Sequence, residues 1–295
     1  MVQSSPGERA QAVNVANLYK LVSRIPGSVK RMERHTQAPV EAGSIRDAAR
    51  QHDFAAEAFA IASIHVAAGL DALRSLHFLV LREPDDRNLR ITVHGACVLV
   101  RQSLESGASA RWLVEDLSPS ALQQRGFAAV WRSAQEQASY LNSLGGGPLT
   151  QKANETRAKL IADGQRLELV DPMGRGDRRK TSPIVRVPDS ASLAREVPLP
   201  PEIADAAANA LGRGVANAEW LYRWASGMTH GYMWASLADS ESVASHLKWV
   251  DGVPRRSGEV MALMRLDYVR FALALDTAID VLSGAAKVVA DSGRA

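Results

Sequence analysis

The chain of 295 residues has a single cysteine, and this scarcity excludes two kinds of site. One thiol cannot form an internal disulfide, and it cannot supply a zinc site built from several thiolates. Cys97 lies in the apolar run 96–100, so we expect it to be a small core side chain. A reducing compartment is the natural setting for such a sequence.

We also expect no segment that directs the chain to a membrane or out of the cell. The first residues hold no basic stretch leading into an apolar one, which argues against a signal peptide. No uninterrupted apolar run approaches the roughly 18 residues that span a bilayer, because His65, Asp276 and Asp280 interrupt the longest candidates. We therefore expect a cytosolic protein with no membrane partner.

Signatures of several common enzyme classes are absent. The histidines form no His-Glu-x-x-His or Glu-x-x-His pair, and Asp276 with Asp280 is a single weak carboxylate pair. Residues 174–181 lack the glycine that precedes the lysine of a phosphate-binding loop. No Gly-x-Ser-x-Gly turn occurs, so serine-hydrolase chemistry has no support. The sequence predicts no metal and no cofactor.

Apolar residues recur at helical spacing over most of the chain, and this pattern predicts the fold class. A short helix is expected over 201–211, and long helices are expected over 48–81, 89–116, 120–144, 150–169, 215–237 and 257–289. Ser118 or Ser120 is expected to cap the third of these long helices. We find no internal repeat and no βαβ alternation, so the prediction is an all-α bundle of long helices.

The N-terminal segment 1–44 is predicted to be basic and loosely ordered. Residues 1–35 hold six basic side chains and two acidic ones, a balance of +4 in a chain whose net charge is +3. One short helix over 12–22 is expected to end at Pro26 and Gly27. The charge suits an anionic partner such as nucleic acid, and a solvated tail is the alternative.

Residues 45–295 are predicted to form one helical domain with an irregular insertion over 171–200. The insertion contains five prolines, and 184–187 is expected to be a short strand in a small hairpin. Its basic cluster is a candidate RNA-binding element formed by Arg175, Arg178, Arg179 and Lys180.

The segment 219–231 holds the densest set of chemical groups in the chain. Arg223 and His230 are seven residues apart, so on a helix they share one face within about 20° and lie roughly 10 Å apart. A fixed positive charge and a proton-transfer group on one face can hold a phosphodiester between them. Gly227 and Gly231 fall on the same stripe, and each costs a helix about 1 kcal/mol. We therefore expect another helix or a ligand to approach closely there.

Further polar side chains flank this face. Glu219 precedes Arg223 by one turn and is placed to orient its guanidinium. Ser226, Thr229 and Tyr222 lie beside the stripe as supporting groups. An alternative stays open, in which the glycines mark a tight helix crossing, the arginine pairs with Glu219, and the histidine bonds a backbone carbonyl.

A second candidate pair lies on the predicted helix 89–116. Arg101 and Glu105 are four residues apart within an apolar run, so they face the same side. They are either an intrahelical salt bridge or groups that support the site from a neighbouring helix, and the sequence does not decide between these.

The arrangement Arg223-x6-His230 on a late helix of an all-α bundle resembles the Arg-x4–6-His signature of the HEPN superfamily. The segment 99–108, Leu-Val-Arg-Gln-Ser-Leu-Glu-Ser-Gly-Ala, is similar to the arginine-and-glutamate helix of uncharacterised HEPN-like families, some linked to abortive infection. The resemblance covers about residues 50–245. The chain departs from it at Trp224, where many active members carry Asn, Asp or His.

The resemblance implies a metal-independent endoribonuclease, a toxin or phage-defence effector that acts on single-stranded or loop RNA. In that chemistry Arg223 stabilises the charge that develops on the phosphoryl oxygens. His230 takes the 2′-hydroxyl proton or protonates the leaving 5′-oxygen, and the product is a 2′,3′-cyclic phosphate. A homodimer and a cognate antitoxin or regulatory partner are also implied. The alternatives are a non-catalytic scaffold of the same fold that binds RNA or protein, and a bundle that binds a small molecule.

Overall fold

Helices make up most of the structure, a computed structural model that describes residues 6–81, 93–145, 147–171, 182–211, 214–229, 247–250, 253–256 and 268–295. The helices are α1 (Pro6–Thr36), α2 (Ile45–Ala49), α3 (Asp53–Val80), α4 (Val93–Val114), α5 (Pro119–Ser143), α6 (Pro148–Arg166), α7 (Ser190–Arg195), α8 (Pro201–Leu211), α9 (Glu219–Thr229) and α10 (Tyr268–Asp291). Two short strands, β1 (Leu247–Val250) and β2 (Val253–Arg256), pair antiparallel. The predicted all-α class is confirmed.

Local sequence signals account for where several helices begin. Ser118 caps α5, since its Oγ accepts a hydrogen bond from the backbone N–H of Ala121 at 3.4 Å. Pro119 occupies the start of that helix, where its missing N–H costs nothing. The bounds of α8 are those that the sequence predicts.

The N-terminal segment is a long helix, so the prediction of a loosely ordered lead-in is wrong for its described part. α1 continues through Pro26 and Gly27, which were expected to end a short helix. Its buried side chains repeat at spacings of four and three residues and are Leu18, Val22, Ile25, Val29 and Met32. Burial of five such side chains at about 1.5–3 kcal/mol each outweighs the ~3 kcal/mol that an interior proline costs a helix.

The described part of the insertion 171–200 differs from its prediction. It contains the short helix α7, and Val170 pairs with Pro183 only through an isolated antiparallel bridge. The prediction of a strand over 184–187 is wrong. Pro183, which forms the bridge, contributes to this because it has no N–H with which to extend a ladder. The antiparallel pairing lies instead further along the chain, between β1 and β2.

The chain divides into two compact units, which are described separately. Unit 1 comprises Met1–Met32, Ala67–Ala108 and Ser190–Ser283, and unit 2 comprises Glu33–Val66, Ser109–Asp189 and Gly284–Ala295. The assignment of residues 45–295 to a single domain stays a prediction.

Unit 1 packs α4 tightly against α3 and α10. A Cβ on Gly107 would lie 3.1 Å from the backbone N of Leu282, so the absent side chain allows α10 to approach. The hydroxyl of Ser103 lies 3.3 Å from the carbonyl O of Gly69 in α3. Cys97 is fully buried, as expected of a core side chain, and burial raises the pKa of its thiol to about 12.

Unit 2 has an aromatic core between α3, α5 and α6. Phe54 and Phe127 meet edge to face with their ring centroids 5.0 Å apart. A Cβ on Gly126 would lie 1.8 Å from the carbonyl O of Phe54, so α5 rests directly on the backbone of α3. Any side chain at this position must push the two helices apart.

By length and composition, α3 is also the one helix in the described ranges that could cross a membrane. Buried side chains such as Ala62, Val66 and Leu73 recur along it. Since the core helix of a soluble protein has the same composition, α3 is weak evidence for a membrane span. The cytosolic location stays a prediction.

The packing at Gly126 gives a direct test of the unit 2 core. Gly126→Ala is expected to lower the free energy of unfolding by about 1–3 kcal/mol or more, because its methyl group overlaps a backbone carbonyl. Gly284→Ala is the matched control, since a Cβ there meets open space in α10 and gains up to about 1 kcal/mol of helix propensity. Urea unfolding followed by circular dichroism measures both, and equal effects would contradict the packing.

Candidate functional site

Polar side chains of α4, α7 and α9 meet within unit 1. The α9 helix contains six of the predicted site residues and is described as far as Thr229. The predicted catalytic His230, the predicted close-approach Gly231 and the basic cluster at 175–180 lie outside the described residues. The structure therefore describes Arg223 and its surroundings.

The carboxylate of Glu219 is shared by two arginines. Arg195 binds it with two bonds, Nε to Oε2 at 2.7 Å and an Nη to Oε1 at 2.8 Å. Arg223 binds Oε1 through Nε at 2.8 Å and through an Nη at 2.7 Å. The hydrogen bonds from Arg195 and then Arg223 lower the pKa of Glu219 to about 2, so the carboxylate is ionised at neutral pH.

Backbone pairing holds Arg195 opposite Glu219. The backbone N–H of Ala218 donates to the carbonyl O of Val197 at 3.0 Å, and that of Leu199 donates to Ala216 at 3.1 Å. These two bonds align the chain that follows α7 with the chain that precedes α9. The last residue of one helix therefore faces the first residue of the other, although they are 24 residues apart.

The other end of α7 contacts α4. The Ser190 hydroxyl donates a short hydrogen bond to Oε1 of Glu105. The same carboxylate lies 3.8 Å from Nε of Arg101, one turn earlier on α4. A short helix is thus tied at its two ends to one carboxylate of α4 and one of α9.

A direct contact joins α4 to α9 as well. The guanidinium of Arg101 lies 5.5 Å from the centroid of the Tyr222 ring, and an Nη lies 3.4 Å from the phenol oxygen. This is a cation–π contact with an added polar bond. Arg101 and Glu105 therefore form the intrahelical ion pair, and they also contact α9 and α7. Their role as groups that support a site stays a prediction.

The remaining described site residues take different environments on α9. Ser226 is half-buried, Gly227 is buried, and the close approach expected at Gly227 stays a prediction. The Thr229 hydroxyl donates to the carbonyl O of Ala225 at 2.8 Å, so its proton is used within the helix. Trp224 points into the core and is only 4% exposed, because one helical step separates it by about 100° from the exposed Arg223.

Three polar contacts of the site were not predicted from the sequence. Ser190 and Arg195 lie in a segment expected to be irregular, and no periodicity relates them to α4 or α9. His94, near the start of α4, has Nδ1 2.7 Å from the carbonyl O of Met228. A carbonyl only accepts hydrogen bonds, so Nδ1 carries a proton in this contact.

Other candidate ligand sites are few in the part of the chain that the structure describes. No group of three or more His, Cys, Asp or Glu side chains there could hold a metal ion. A cavity of about 360 Å³ opens between α1 and α10 in unit 1. Its lining mixes charged with apolar side chains and includes Lys20, Arg24, Leu273 and Asp276.

No protein-family model matches the chain, and no curated protein or solved structure matches it either. Function must therefore be argued from these residues and their chemistry.

The shared carboxylate predicts a distinct dependence of stability on pH. Because the folded pKa of Glu219 is about 2, against an ordinary 4.5, the ionised carboxylate stabilises the fold above about pH 4.5. That stability is lost as the pH falls toward 2. We expect Glu219→Gln to lower the free energy of unfolding at pH 7, with its difference from the native protein shrinking between pH 5 and pH 2.

Urea unfolding at a series of pH values measures this difference. Glu196→Gln is the control, since Glu196 is an exposed carboxylate next to Arg195 in sequence. A Glu219→Gln effect that is the same at pH 7 and pH 3 would contradict the sharing of this carboxylate.

Proposed function

We propose that the protein is a HEPN-like, metal-independent endoribonuclease, a toxin or phage-defence effector that cleaves RNA to leave a 2′,3′-cyclic phosphate. Arg223 and His230 are its catalytic pair. The enzyme works as a homodimer and is controlled by an antitoxin or other regulatory partner. The basic cluster Arg175, Arg178, Arg179 and Lys180 adds affinity for the RNA backbone.

The observation that carries this proposal is the contact between Arg101 and Tyr222. The HEPN resemblance rests on two separate segments, one on α4 and one on α9, and this contact brings the two segments together. Arg101 lies over the Tyr222 ring, one residue from Arg223. The arginine-and-glutamate helix therefore supports the helix that contains the catalytic motif.

Arg223 has the exposure that binding a phosphoryl group needs. Its side chain is 57% exposed, while Glu219 holds its guanidinium by two contacts. A guanidinium fixed in this way loses less rotamer entropy when it meets a phosphate than a free one does. Ser226, half-buried one turn further along, can donate a further hydrogen bond.

The reaction needs only proton transfer and charge stabilisation. The 2′-oxygen attacks phosphorus and loses its proton, the bond from phosphorus to the 5′-oxygen breaks, and the 5′-oxygen leaves protonated. His230 supplies one of these proton transfers, since an imidazole changes its charge near neutral pH. Arg223 stabilises the negative charge that grows on the phosphoryl oxygens.

Trp224 does not block this assignment. Many active members of the HEPN superfamily have a polar residue at this position, whereas here the Trp224 side chain is buried on the core side of α9. Its burial fixes the helix so that the preceding arginine faces solvent.

Removal of the catalytic pair should abolish cleavage. Arg223→Ala is expected to lower the rate by about 10²–10³-fold and His230→Ala by about 10²–10⁴-fold, measured with labelled single-stranded RNA in EDTA. Arg132→Ala is the matched control, because Arg132 is also an exposed arginine in an i,i+4 pair, with Glu136 on α5. Equal cleavage by all four proteins, or RNA left intact by the native protein, would overturn the proposal.

A non-catalytic RNA-binding scaffold is the second candidate function. Its support is the ion pair of Glu219 with Arg223, because a guanidinium held by Glu219 can bind an RNA phosphate without cleavage of the RNA. RNA that binds to the native protein and stays intact for hours would favour this function over the nuclease.

A further inference from the structure

We propose that Arg195 and Arg223 together bind a single phosphate of the RNA, with Glu219 as the positioning residue that holds the two guanidinium groups side by side. This inference rests on the proposed function and adds Arg195, a residue of a different helix, to its site. It concerns binding of the substrate backbone and assigns no proton transfer to Arg195.

The first support is the geometry of the shared carboxylate. Oε1 of Glu219 accepts from both arginines at 2.7–2.8 Å, so their guanidinium groups converge on one oxygen atom. Groups that converge on one carboxylate oxygen are also close enough to converge on the oxygens of a phosphate. Arginine suits this task because its planar fork matches phosphate geometry.

The second support is charge. Two guanidinium groups lie around one carboxylate, and Glu219 stays ionised because its pKa is about 2. Positive charge presented in this way attracts the negative charge of a phosphodiester group.

The third support is exposure. The side chains of Arg195 and Arg223 are 53% and 57% exposed, whereas that of Glu219 is 19% exposed. The carboxylate therefore lies beneath the two cations, and the cations face solvent. A ligand that approaches from solvent meets positive charge first.

The fourth support is the rigidity of the backbone on which Arg195 lies. Backbone bonds from Ala218 to Val197 and from Leu199 to Ala216 fix the chain that follows α7. Ser190 is bonded to Glu105 at the other end of this helix. A long exposed side chain on a firmly held helix end is preorganised for a ligand, which reduces the entropic cost of binding.

The test measures binding separately from cleavage. A fluorescent single-stranded RNA with 2′-O-methyl groups cannot be cleaved through its 2′-oxygen, and its affinity is measured by anisotropy over a range of salt concentrations. Arg195→Gln is expected to weaken binding about tenfold and to reduce the slope of log K against log salt by about 0.7, the value for one phosphate contact. Arg195→Lys keeps the charge and loses the fork, so it should recover part of the affinity.

Arg132→Gln on α5 is the control and should leave affinity and slope unchanged. Circular dichroism measures whether each variant is folded. If Arg195→Gln does not fold, Arg195→Lys tests the inference. An affinity of Arg195→Gln within twofold of that of the native protein, with an unchanged slope, would overturn the shared phosphate site, even if RNA is still cleaved. Binding that depends on Arg195 without any cleavage would support the site while contradicting the nuclease.

Discussion

The ionised carboxylate of Glu219 is the constraint on which the candidate site depends. It begins α9, and two arginines from separate helices bind it at 2.7–2.8 Å. Without this negative charge the guanidinium groups of Arg195 and Arg223 would repel each other and move apart. Backbone pairing places α7 beside α9, and the carboxylate holds the two guanidinium groups together there.

Close helix packing in unit 1 explains why these polar groups lie on the outer side of α4. Gly107 and Ser103 allow α10 and α3 to approach one side of this helix, which is filled by small residues. Arg101 and Glu105 lie on another side, where α9 and α7 supply Tyr222 and a serine hydroxyl. Small residues and charged residues on one helix thus have complementary roles, the first in packing and the second in joining the site together.

The predictable parts of the molecule are those with a local period. The pair of Glu219 with Arg223 follows from i,i+4 spacing, and the helices follow from apolar periodicity. The helix α1 carries the same signal in its buried residues from Leu18 to Met32, and their burial outweighs the cost of Pro26 inside the helix. The contact of Arg195 with Glu219 had no such signal, because backbone pairing across an irregular segment creates it.

The most direct test of this account is the titration of Glu219 itself, followed through the ¹³C chemical shift of its side-chain carboxyl carbon. The account predicts that this resonance keeps its ionised position down to about pH 3, since two arginine partners hold the pKa at about 2. A midpoint near the ordinary value of 4.5 would show that the carboxylate is not shared. The arginine pair would then have no common anchor, and the site built on it would be contradicted.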